Sequence, residues 1–147
     1  MEEKEYIERL IKLLIHVGAE LAFLLVIPRN ESLIKYCSQN DVSKILQDQS
    51  DSALKSFLGH IPFYEKNLQE ISAFEIAALN DFELLSRNLD ALTSNIKDIK
   101  ILYDKNLLHF KRYEQNPEMQ RAMNFLKKIV DGLTKIVGNI VEKKVRI

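Results

Sequence analysis

Apolar residues recur at helical spacing along most of the chain. Near the start, Ile7, Leu10, Ile11, Leu14, Val17, Leu21, Leu24 and Leu25 follow steps of three and four, while Glu5, Arg9, Lys12, His16 and Glu20 gather on another stripe. The spacing predicts an amphipathic helix over residues 3–27. Its polar stripe is narrow, so most of its circumference has to be covered, either by other helices of a bundle or by a second subunit. Pro28 is expected to end it, because proline lacks the N–H that a helix interior uses.

Between residues 31 and 71 the apolar groups are shorter: Leu33, Ile34 and Cys37, then Val42, Ile45 and Leu46 after Asn40-Asp41, then Ala53, Leu54, Phe57 and Leu58 after Asp51. With Gly59 and Pro62 as stops, these predict short helices in a connecting region. Ser72 followed three residues later by Glu75 has the capping-box pattern, which places the start of a long helix at Ala73. Behind it, Ala78, Phe82, Leu85, Leu89, Leu92, Ile96, Ile99, Tyr103, Asn106 and Phe110 alternate steps of four and three, a heptad seam. Unbroken to Tyr113 such a helix would be roughly 60 Å long at 1.5 Å per residue. A break is therefore expected at Asp104-Lys105-Asn106, where side-chain hydrogen bonding competes with the helix. Asn116, Pro117 and Glu118 read as N-cap, first residue and acidic first turn of a last helix. Its seam is Ala122, Leu126, Ile129, Leu133, Ile136 and Ile140, widened by Met123, Val130 and Val137, and it runs to the tail that begins at Glu142. Gly132 inside that helix marks a close contact. The expected fold is all-α: one domain over residues 1–147, a helical bundle with long N-terminal, central and C-terminal helices joined by short helices.

Composition agrees with this class. Only four Gly and three Pro stand among 147 residues, too few for the many tight turns of an all-β fold. The lone Cys37 cannot form an internal disulfide, and its expected role is packing; a single thiol predicts a reducing compartment, read as the cytoplasm. Residues 10–27 are interrupted by Lys12, His16 and Glu20, and the uninterrupted apolar run 21–27 is too short to cross a bilayer, so no membrane span is expected. The acidic start and the Pro28-Arg29-Asn30 that follows the apolar run do not fit a cleaved secretion signal.

Tests for chemistry are mostly negative. His16, His60 and His109 are isolated from one another and none follows a Glu by three residues, so neither a metal nor another cofactor is expected. No Gly-rich phosphate loop and no Gly-x-Ser-x-Gly elbow is present. Arg9 and His16, seven residues apart, share a helical face; this spacing resembles the Arg-x(4–6)-His element of HEPN-type ribonucleases, and the resemblance implies phosphate binding by Arg9 and proton transfer by His16. That element normally lies on a late helix with a polar residue after the Arg, whereas here Leu10 follows Arg9 on the first helix. The competing expectation is a solvated stripe with Glu5–Arg9 and His16–Glu20 pairs at i,i+4.

Charge is distributed unevenly. The 21 basic and 21 acidic side chains cancel overall, but residues 1–104 carry 11 basic and 17 acidic groups, net −6, and residues 105–147 carry 10 basic and 4 acidic, net +6. Arg121, Lys127, Lys128, Lys135, Lys143, Lys144 and Arg146 form a candidate basic patch on the last helix, with Lys111 and Arg112 before it. The leading expectation is a non-enzymatic protein that works by association, most simply as a homodimer, through Phe82, Leu85, Leu89, Leu92, Ile96 and Ile99; the competing expectation for that seam is an intramolecular core. The alternative is a nucleic-acid-associated accessory protein using the basic helix, and a HEPN-like ribonuclease ranks third.

Overall fold

The computed structural model describes residues 1–29, 41–110 and 117–145. These contain four long helices, α1 (Glu3–Arg29), α2 (Asp41–Ser72), α3 (Phe82–Phe110) and α4 (Pro117–Val145), with one 3-10 turn (Ile76–Ala78) before α3 and no strand. The protein is an all-α helical bundle, as expected. The number of long helices is not as expected, because the part of the connecting region from residue 41 on is one continuous helix, α2, in place of short ones; the group Leu33, Ile34 and Cys37 lies outside the described residues. Gly59 and Pro62 do not stop α2. Both are exposed, while the flanking Phe57, Ile61, Tyr64 and Ile71 are buried. Burial of that apolar row outweighs the local penalty.

The helices pack as a square. α1 contacts α2 and α3, and α4 contacts the same two, so α1 stands diagonally across from α4. Arg9 meets Glu70 and Glu20 meets His60, which makes α1 and α2 antiparallel. Gly18 meets Ile99 and Leu21 meets Asn106, which makes α1 and α3 parallel neighbours. The chain must therefore cross the end of the bundle between α2 and α3, and that crossing is where the capping-box expectation fails. Ser72 is the last residue of α2, and the cap of α3 is Asp81, whose Oδ1 accepts from the Leu84 amide at 2.9 Å.

The crossing closes the core like a plug. Leu79 is fully buried, and Phe74 stacks on Tyr6 with ring centroids 4.2 Å apart. Two side chains pin its backbone. The Glu3 carboxylate accepts from the Asn80 and Asp81 amides at 2.7 and 3.0 Å, and Lys143 Nζ donates to the Ile76 and Ala77 carbonyls at 2.9 and 2.6 Å. Tyr6 is fully buried and its hydroxyl has no hydrogen-bond partner, so burial pushes its pKa from 10.0 up to about 12. A raised folded pKa leaves stability intact below pH 10 and removes it as pH rises toward 12, by roughly 1.4 kcal/mol per pH unit in that window. Tyr6→Phe, which cannot ionise, is expected to flatten that part of the alkaline unfolding curve followed by circular dichroism; an unchanged slope would contradict the enclosure of Tyr6.

α3 runs straight through the expected break. Asn106 is fully buried there, its amide donating to the Leu102 carbonyl at 2.8 Å and across to the Leu21 carbonyl of α1 at 3.1 Å. The side-chain nitrogen that would compete with the helix finds one acceptor within it and one on its neighbour, while Asn106 Oδ1 is buried without a partner. At about 44 Å, α3 matches the length of the 29-residue α4 beside it. On α4, Leu68 of α2 rests against Gly132, where an added Cβ would lie 3.4 Å from its Cδ2, so the close contact read from that glycine is present.

Candidate functional site

The heptad residues expected to dock a partner lie largely in the chain's own core. Leu85, Leu92 and Ile99 are buried, and Ile96 packs on the core as a half-buried neighbour. Leu89 is half-buried, and Phe82, at 38% exposure, is the most open of the set. The reason is geometric: positions seven apart on α3 point into the angle between α1 and α4, so one row of the seam is consumed by the fold.

The exposed apolar surface is on α1 instead. Ile15 and Phe23 are 54% and 55% exposed, and Ala19 and Ala22 between them are exposed too. These four lie at steps of three, four, seven and eight, one face of the helix, opposite the buried row Leu10, Leu14, Val17 and Leu21. The second row was legible as the narrowness of the polar stripe; which row would stay uncovered was not. Beside it on α2, Phe63 is 50% exposed and meets the His16 ring edge-on at 6.0 Å.

The α1–α2 groove carries the polar contacts. Arg9 donates to Glu70 and, at 3.4 Å, to Asn67 Oδ1. The guanidinium hydrogen bond and charge hold the Glu70 carboxyl below its ordinary range. One helical stretch further along, Glu20 Oε1 lies 2.6 Å from His60 Nδ1, and its charge acts on Tyr64. Burial foremost, then the charge of Glu20, pushes the Tyr64 phenol up. These cross-helix contacts replace the i,i+4 pairing expected along α1: Arg9 meets α2 instead of Glu5, and Glu20 meets His60 instead of His16. Arg9 and His16 are thus held by different neighbours, Arg9 by Glu70 and Asn67, His16 by Phe63.

On α4, Arg121, Lys127, Lys128 and Lys135 are exposed, and Arg121, Lys128 and Lys135 are seven apart and share a stripe. Lys143 is committed to the plug carbonyls and Lys144 is half-buried. Arg146, Lys111, Arg112 and Cys37 lie outside the described residues, as does the side chain of His109. A groove of about 520 Å³ opens where α1 and α3 begin, but Glu2, Glu3, Glu8 and Asp81 outnumber Lys4 and Arg87 in its lining, and Glu3 is already bound to backbone amides. Among the described residues no group of three His, Cys, Asp or Glu side chains could hold a metal ion, and no helix is long and apolar enough to cross a membrane. Compared with known proteins, the chain matches no protein-family model, no curated protein and no solved structure.

Proposed function

We propose that this is a non-enzymatic protein that acts by association, in the first place with a second copy of itself, through the outward face of α1. The observation that carries the reading is the exposed row Ile15, Ala19, Ala22 and Phe23 on a helix whose opposite row is already buried. A two-fold interface uses the same patch on both copies. Antiparallel α1 helices crossing at Ala19 would set Ile15 of each against Phe23 of the other, with the small residues between them letting the helices close. The overall charge of zero adds no net repulsion between copies. The single cysteine fits a reducing, cytoplasmic setting.

A second reading, nucleic-acid association through α4, is supported by the exposed stripe of Arg121, Lys128 and Lys135. One experiment separates the two: size-exclusion chromatography with light scattering and dual-wavelength absorbance, at low and high salt, on protein purified without nuclease. The association reading expects about twice 17.1 kDa for the parent chain and 17.1 kDa for Phe23→Asp with unchanged helicity. A parent chain that is monomeric throughout overturns it, and 260 nm absorbance stripped by salt would support the second reading in its place.

A further inference from the structure

The basic charge of α4 is not neutralised by contacts within the fold. Arg121, Lys127, Lys128 and Lys135 are exposed, and among the described residues none of them makes an ion pair. The pairs that do form join Arg9 to Glu70 and His60 to Glu20, in the α1–α2 groove. Lys143, further along α4, is turned to the Ile76 and Ala77 carbonyls. From Arg121 to Lys135 four cations stand against one anion, Asp131, a net charge of +3. Seven residues advance a helix by about 10.5 Å and fall only about 20° short of two turns. Arg121, Lys128 and Lys135 therefore form a nearly straight row about 21 Å long, with Lys127 beside it.

The surroundings of that row narrow the polyanion it fits. The one aromatic residue of α4, Phe125, is buried against Phe57 and Tyr64, so the basic face offers no ring on which a base could stack. Proteins that hold single strands rely on such stacking. A duplex needs none, and it carries one charge per about 1.7 Å of axis, twice the density of a single strand. Asn124 and Asn139 are exposed beside the row and add neutral donors for phosphate oxygens. The opposite side of α4 is packed on α2 and α3 along its length, which leaves the helix to lie against a duplex and not to enter its groove. We infer that the α4 face holds the phosphate backbone of a nucleic-acid duplex through Arg121, Lys127, Lys128 and Lys135, without reading its bases. This rests on the second reading above and specifies it: a duplex and not a strand, the backbone and not the base edges.

The test is fluorescence anisotropy with a labelled DNA duplex of about 24 base pairs, titrated at salt from about 50 to about 200 mM. Four phosphate contacts give a slope of log affinity on log salt of about −3.6, so affinity should fall about 150-fold over that range. Lys128→Gln should make the slope shallower by about one and weaken binding to every duplex sequence alike. Replacing Arg121, Lys128 and Lys135 together by Gln, with helicity unchanged by circular dichroism, should leave a slope of about −0.9. Lys66→Gln, an exposed cation on α2, should leave the parent's slope. An RNA duplex of the same sequence is the second arm; whichever duplex is held more tightly names the source, and either result supports the inference. Tighter binding of a thymidine strand of equal length overturns the duplex assignment and keeps the nucleic-acid reading. No duplex binding at the lowest salt, a slope that the triple variant leaves unchanged, or displacement by poly-glutamate more effective, charge for charge, than by unlabelled duplex overturns both. Light scattering on the same samples scores self-association separately.

Discussion

Leu92→Asp is expected to abolish the folded state. Leu92 is fully buried on the row of α3 that faces the angle between α1 and α4. Truncating such a leucine to alanine costs about 2–5 kcal/mol, and an enclosed carboxylate adds several more. A domain of this size has roughly 5–15 kcal/mol in total, so the sum reaches the whole of it. Far-ultraviolet circular dichroism at neutral pH should show loss of helix for Leu92→Asp, while Leu92→Ala should stay folded with its urea midpoint clearly lowered. Phe82→Asp, on the same heptad seam but 38% exposed, should remain folded with a far smaller shift. Retention of full helicity by Leu92→Asp, with only assembly lost, would return the seam to the outside of the molecule.

Asn106→Asp should be the next most damaging change, and its damage should depend on pH. The Asn106 amide donates to the Leu21 and Leu102 carbonyls in a fully buried site. A carboxylate there loses both bonds, confronts two carbonyl oxygens and buries a charge without a counter-ion, a loss of about 3–5 kcal/mol at pH 7. Burial raises the folded pKa of the new acid above its unfolded value of about 3.9. A group raised in this way costs little below the unfolded pKa and progressively more as pH rises through the folded one. Urea titrations of parent and variant should therefore nearly converge near pH 4 and separate toward pH 7. A separation that does not change with pH would show that residue 106 reaches water.

Both predictions turn on positions where local pattern and tertiary placement had to be combined. The 3,4 spacing on α3 was readable and correct as a helix signal, but spacing alone does not say whether a seam meets the same chain or another one. Asn106 has the features of a helix breaker when only its neighbours in sequence are considered; the acceptor that keeps it in the helix, Leu21, is 85 positions away. Ser72 and Glu75 match a capping box, yet the neighbouring contacts decide otherwise, since Glu3 and Lys143 fix the backbone from Ile76 to Asp81 as a plug. Pro62 shows the same competition from the opposite side, with the buried flank of α2 overriding a local stop.

The candidate surface was half legible. The apolar excess of α1 was visible as a narrow polar stripe, and the two ways to cover it, by the bundle or by a second subunit, both followed from the pattern. The contact of His60 with Glu20 gave no signal, because the carboxylate lies on another helix, 40 residues earlier.

What the sequence by itself determined is the class of fold: periodicity near 3.6, few turn-forming residues and seams that need covering are local properties, set by the chain's own geometry. The tertiary structure alone decided which apolar row became core and which stayed outside, where α2 ends and α3 begins, and which side chains meet across the α1–α2 groove. Those outcomes depend on burial and pairing between segments distant in sequence, energies that exceed local preference and that no window of neighbouring residues contains.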